Sequence, residues 1–172
     1  MIQEIYTRRS YHDGFDGHEI GESEINMILK AGMNAPSSRD TQPWELVVVR
    51  NKETMKRLAS SKSSGGARAC ETAGFVVIIC ADNRMLNSIN VGLSAQNMML
   101  AAESLRIQSL IIDIWETTEA QIFIKELLNI PEDLTAYTMV AFGYAVEKIS
   151  PNDRFIKEKI HLEKFNQERK MK

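Results

Sequence analysis

Residues 75–81 read Phe-Val-Val-Ile-Ile-Cys-Ala, the longest uninterrupted apolar run in the chain. A membrane span needs about 20 such residues, so this run belongs inside a globular protein as a β-strand rich in branched side chains. Residues 45–50, 109–114 and 138–145 have the same character, each bounded by turn-formers or by helical patterning. Four strands make a sheet. Helical patterns lie between them: Ile25, Ile28, Leu29 and Gly32 recur at i, i+3, i+4 and i+7, and residues 119–128 follow a Thr118-x-x-Gln121 capping box. Helices that alternate with strands predict α plus β elements around one core.

A length of 172 residues with 44% apolar and 26% charged positions fits a single domain over residues 1–172. Twenty-one Lys and Arg against 23 Asp and Glu leave a net charge of −2, so no global field recruits nucleic acid or an anionic membrane, and any anion site is local. Glu4 and the Arg8-Arg9 pair leave no apolar signal core at the start, and the expected location is the cytoplasm. Cys70 and Cys80 stand ten positions apart and match no redox or zinc spacing. Cys80 closes the apolar run and is expected to pack there as a small hydrophobe. His12, His18 and His161 form no cluster that would hold a metal.

The longest helical pattern covers residues 86–106, where Val91, Ala95, Met98, Ala102 and Leu105 form a row spaced by fours and threes. A helix buried in its own core and a helix facing a second subunit both produce such a row. After Pro151 the chain becomes a basic amphipathic segment with Phe155, Ile156, Ile160, Leu162 and Phe165. Those apolar side chains must lie across this core or across a partner's. Residues 61–66, Ser-Lys-Ser-Ser-Gly-Gly, read as a mobile loop.

Two segments carry candidate chemistry. Thr7-Arg8-Arg9-Ser10-Tyr11-His12 brings two guanidinium forks, a hydroxyl and an imidazole to the end of a short helical stretch, a donor set suited to phosphate. In Ala35-Pro36-Ser37-Ser38-Arg39-Asp40-Thr41-Gln42-Pro43-Trp44, two prolines stiffen a polar loop whose donors and acceptors can read a heterocycle edge. Trp44 is placed to anchor that loop in the core. Gly14-Phe15-Asp16-Gly17 is no dinucleotide fingerprint, no phosphate loop of the Walker type is present, and Ser94 sits in a helical pattern rather than a nucleophile elbow.

Together these segments resemble the flavin-dependent nitroreductase family, which carries R-x-S-x-[R/K] near its start and then P-S-x-x-N-x-Q-P-W. Here the order is Arg8-Arg9-Ser10-Tyr11-His12, then Pro36-Ser37-Ser38-Arg39-Asp40-Thr41-Gln42-Pro43-Trp44, then Ala95-Gln96-Asn97-Met98-Met99-Leu100-Ala101-Ala102, Gly143-Tyr144 and a late Arg154. The resemblance implies an α+β three-layer fold, a central mixed sheet flanked by helices, in an intertwined homodimer with FMN at the subunit interface. It implies that Arg8, Arg9, Ser10, His12 and Arg154 hold the FMN phosphate. Pro36, Ser37, Ser38 and Asp40 would touch the isoalloxazine, and Asp113 would lie near the redox nitrogen. Residues 151–172 become an arm across the partner, and the residue 91–105 row becomes part of the dimer helix. The implied activity passes hydride from NADH or NADPH through the flavin to nitroaromatics, quinones or similar acceptors, with no side chain obligatory as acid, base or nucleophile. The alternatives are another redox reaction on the same fold, such as dehalogenation or dehydrogenation, and a flavin-binding dimer without turnover.

Three departures from the family pattern matter. His12 replaces a permanently charged Arg or Lys, which makes phosphate affinity sensitive to pH. Asp40 replaces Asn, so an ionised carboxylate would accept a hydrogen bond from the flavin without donating one. Arg106 and Gln108 stand where relatives carry glycines, which is expected to narrow or recharge the approach to the ring.

Overall fold

Strand β2 (Phe75–Asp82) divides its side chains between two cores, as period-2 geometry requires. Val76, Ile78 and Cys80 face one apolar cluster; Phe75, Val77, Ile79 and Ala81 face the other. In the computed structural model, which describes residues 3–62, 65–82, 87–114 and 118–165, helices cover both faces. The chain runs α1 (Glu4–Thr7), α2 (Glu22–Met33), β1 (Glu45–Val49), α3 (Lys52–Ala59) and α4 (Ala69–Thr72) before β2. It continues through α5 (Asn87–Ser104), β3 (Gln108–Asp113), α6 (Thr118–Leu128) and β4 (Leu134–Gly143). Met55 and Leu58 of α3, Cys70 of α4 and Ile124 of α6 fill the first cluster; Ile25 and Ile28 of α2 with Val91, Ala95, Met98 and Ala102 of α5 fill the second. The result is the α+β arrangement expected from the alternation of elements, in the three layers that the family resemblance implies.

The sheet order is β1-β2-β4-β3, and the named strands pair antiparallel throughout. The parallel component of this mixed sheet is an isolated bridge between Ser10 and Ser109 on β3. All four predicted strands are present; β4 begins earlier than the expected residue 138. Trp44 is 4% exposed and packs in the second cluster, as expected of a loop anchor. Both cysteines are buried and unpaired, and burial pushes each thiol up to about 12.

The row on α5 finds its partner inside the chain. Val91, Ala95, Met98 and Ala102 are buried against the sheet and α2, and Leu105 is half-buried on the same cluster. A Cβ at Gly32 would lie 2.7 Å from Met98 Cγ, so glycine permits the close crossing of α2 over α5. The row therefore packs on the chain's own core: the periodicity is the same whoever supplies the facing surface. Ile89 and Leu93, on α5 but outside the row, are exposed.

The basic segment behaves differently. Phe155 is 62% exposed and Phe165 79% exposed, so these side chains are largely uncovered by their own chain, while Ile160 is half-buried. Part of the 61–66 loop, residue 86 of the long helical pattern and the last seven residues of the arm lie outside the described residues.

Candidate functional site

Helix α1 is a single turn, and at Arg8 the backbone becomes extended (φ −56°, ψ 132°), which carries Arg9 and Ser10 onto the edge of β3. Tyr11 N–H donates to Ser109 O at 3.4 Å and continues that docking. After β4 the chain returns to the same edge. Arg9 Nη1 donates to Ser150 O at 2.9 Å and to Asn152 Oδ1 at 2.6 Å, and Arg154 Nε donates to the same Asn152 oxygen at 3.3 Å. The result is a hollow of 660 Å³ lined by Arg8, Arg9 and Arg154 with Tyr6, Asn152 and Phe155 among its walls.

This donor set suits a dianion. None of the three arginines makes an ion pair among the described residues. Asp153 also lines the hollow, but its Oδ1 accepts the Phe155 N–H at 2.9 Å. Arg9 Nε is buried without a hydrogen-bond partner, a cost of about 1–3 kcal/mol that a bound oxygen would remove. Burial pushes the Arg8 pKa down, and the charge of Arg154 pushes the same way; Glu103 pulls it up and Arg9 pushes it down. These are cations held close together and screened by neutral acceptors, an arrangement that attracts phosphate oxygens. The FMN phosphate fits it chemically.

The proline-serine loop forms a second hollow of 250 Å³ with Pro36, Ser37, Ser38, Ile89, Asn90 and Leu93 in its walls. Three non-glycine residues here, Arg39 (φ 55°), Asp40 (φ 55°) and Gln42 (φ 42°), have left-handed backbone. Such conformations are unfavourable for most side chains, least so for Asn and Asp, which explains an Asx residue at position 40. Two hydrogen bonds help hold the strained loop: Gln42 N–H donates to Ser37 Oγ at 2.9 Å, and Ser38 N–H donates to Asn90 Oδ1 at 3.1 Å. Buried Asn90 donates in turn to Asn87 Oδ1 at 3.2 Å, and Asn87 donates to Asp82 O at 3.0 Å. Tyr137 OH also donates to Asp82 O at 3.0 Å. A polar chain therefore runs from the loop through α5 to the end of β2.

The sequence-predicted residues separate into groups. Arg8, Arg9 and Arg154 converge, with Ser10 next in chain on β3; Pro36, Ser37 and Ser38 line the second hollow, with exposed Asp40 adjoining. The two hollows share no lining residue. His12 is exposed in the turn after Tyr11 and Asp113 is exposed at the end of β3; neither lines either of these two hollows. The main-chain oxygen of Asp113 accepts from Lys62 Nζ at 2.5 Å.

Arg106 and Gln108 line neither hollow, so the expectation that they narrow the approach to the ring finds no support in these contacts. Arg106 has φ 61° and closes α5 through Arg106 N–H to Glu103 O and Ile107 N–H to Ala102 O, both 2.9 Å. Glycine would suit that left-handed cap at no steric cost. Gln108 brackets the start of β3, donating to Arg106 O at 3.1 Å and accepting from Ala145 N–H at 2.9 Å. Sequence reasoning missed Asn87, Asn90, Asn152 and Lys62. The Asn87-x-x-Asn90 pair in a largely small and apolar helix was a usable signal for the first two.

A sequence profile of the Nitroreductase family matches residues 5–78 and 67–144 of this chain. An Archaeoglobus fulgidus protein with the provisional name NADH dehydrogenase/NAD(P)H nitroreductase is 31% identical over 173 residues, spanning 95% of this chain and 98% of its own length. The solved FMN-dependent nitroreductase of Clostridium difficile R20291 superposes with a TM-score of 0.90 at 25% identity, covering 96% of this chain and 100% of that one. The Vibrio harveyi NADPH:FMN oxidoreductase, solved in complex with NAD+, shares the fold with a TM-score of 0.83 at 22% identity, covering 96% of this chain and 78% of that one. No helix among the described residues is long and apolar enough to cross a membrane.

Proposed function

This chain belongs to the nitroreductase family as an NAD(P)H oxidoreductase that uses FMN, and from that premise we propose that it is a homodimer reducing nitroaromatics, quinones or comparably electron-poor acceptors. The observation that carries this reading is the convergence of Arg8, Arg9 and Arg154 on one hollow, with no ion-pair partner among the described residues. When bound, FMN supplies hydride exchange between reduced nicotinamide and acceptor, so no side chain need act as acid, base or nucleophile.

The residues of the chain bind and orient. Arg8, Arg9 and Arg154 hold the phosphate by charge-assisted hydrogen bonds, and Ser10 adds a neutral donor beside them. His12, exposed and outside the lining of the hollow, contributes least. Pro36, Ser37 and Ser38 seat the isoalloxazine, Asp40 sets the charge at its edge, and Asp113 offers main chain near the redox nitrogen. The two hollows of one chain are lined by different residues, which supports a site that takes its arginines from one protomer and its serine loop from the other. The exposed Phe155, Ile156, Leu162 and Phe165 support an arm, residues 151–172 of this single domain, laid across the partner. The buried thiols, unpaired as a reducing compartment keeps them, suit a cytoplasmic enzyme.

The test is direct. The purified protein is expected to be yellow, to release FMN on denaturation, to sediment as a dimer and to oxidise NAD(P)H steadily with a quinone. A colourless protein that FMN does not reconstitute overturns the site assignment. A yellow protein without turnover would leave a flavin-binding dimer.

A further inference from the structure

We propose that Asn152 is a positioning residue of the arginine clip, holding two guanidinium groups together without cancelling the charge that binds the anion. The proposal rests on reading that clip as the phosphate seat. Asn152 Oδ1 accepts from Arg9 Nη1 at 2.6 Å and from Arg154 Nε at 3.3 Å, two donors on residues far apart in sequence. Guanidinium groups only donate, so the carboxamide must turn its oxygen toward both. That oxygen has two lone pairs, one for each arginine. Ser150 O, 2.9 Å from Arg9 Nη1, adds a second neutral acceptor from the same return segment.

The choice of side chain is the informative point. An aspartate would fit nearly the same space and accept the same two hydrogen bonds more strongly. It would also place a negative charge between the cations and compete with the ligand for both. Apolar side chains would leave like charges without a shared acceptor, and the two segments would separate. A neutral carboxamide is the one arrangement of these three that both fixes the pair and leaves it fully cationic. The structure therefore assigns Asn152 the task of setting how much positive charge the ligand meets.

The test uses the full chain with its flavin, following FMN release on dilution by flavin fluorescence at several salt concentrations. Asn152→Ala is expected to raise the dissociation constant about tenfold, because Arg9 and Arg154 lose their shared acceptor while both keep their charge. Asn152→Asp is expected to raise it about a hundredfold and to flatten its salt dependence, because the site then presents one positive charge fewer. Asn152→Gln, which keeps the carboxamide, is expected to stay within about threefold of the parent. The proposal is overturned if Asn152→Asp retains flavin as well as Asn152→Ala does, or if both lose flavin with the parent's salt dependence, the mark of a merely structural role. Thermal shift by inorganic phosphate separates this proposal from the flavin reading. A protein that ignores FMN yet is stabilised by phosphate in the order parent, Asn152→Ala, Asn152→Asp overturns the flavin reading and supports the clip. Equal phosphate stabilisation in all three overturns the role of Asn152.

Discussion

The two hollows are built by opposite means. The arginine clip is assembled from exposed or half-buried segments 141 or more residues apart, and mobile water and ions reach most of it. The serine loop is made locally from left-handed backbone, and its long-range support is buried Asn90 and Asn87. On the proposed function, the first region would supply affinity through charge and the second orientation through shape and main-chain hydrogen bonds. Their failures should differ accordingly, the first with salt and the second with unfolding.

The sharpest separation comes from the clip. Arg8→Ala and Arg154→Ala are each expected to weaken FMN binding up to about a hundredfold, with more loss at low salt than at high salt, as read by fluorescence titration. Arg57→Ala is the control, since Arg57 sits 5.9 Å from the Phe123 ring centre rather than in the clip. Equal retention in all three variants would erase the distinction between the regions.

Next in size is Asp40→Asn. If the Asp40 carboxylate lies about 5 Å from the charge of reduced flavin at an effective dielectric near 20, it repels that charge by about 3 kcal/mol. Across two electrons this is roughly 70 mV, so the midpoint potential is expected to rise by that order in the variant. A potential that does not move removes Asp40 from the ring edge.

Asn90→Ala tests the loop's support. Loss of the acceptor for Ser38 N–H and of the donor to Asn87 is expected to cost about 1–3 kcal/mol in urea unfolding, while the salt dependence of FMN binding stays as in the parent. A changed salt slope would tie the loop to the clip electrostatically and blur the contrast. Smallest of all, His12→Ala is expected to change FMN affinity by less than about threefold, since the imidazole is exposed and outside the clip's lining.

The sheet was legible because its strands are made of branched apolar side chains whose pattern survives translation into sequence. Helix α3 escaped notice. It is eight residues long and rich in charge, and its main signal is local: Asn51 Oδ1 accepting the Thr54 N–H at 2.9 Å. The arginines and serines of the two hollows could be named because their segments resemble the family pattern, and Arg154 carried no signal apart from that resemblance. Asn152 could not, because an asparagine's role depends on what faces it, and here the facing group is 143 residues away; Asn90 left a local signal in its spacing from Asn87, while its partner on the loop is 52 residues away. Arg106 carries a role that spacing did not suggest: its left-handed backbone closes α5.

The bond from Arg9 to Ser150 and Asn152 also sets an order of events during synthesis. When the first arginines leave the ribosome, their acceptors have not yet been translated, and all four strands emerge before residue 150 does. A nascent or prematurely terminated polypeptide can thus complete its hydrogen-bonded ladder while having no finished seat for phosphate. On the proposed site, loading of the coenzyme would report that translation has passed that point, making holoprotein yield a readout of intact product rather than of folding alone.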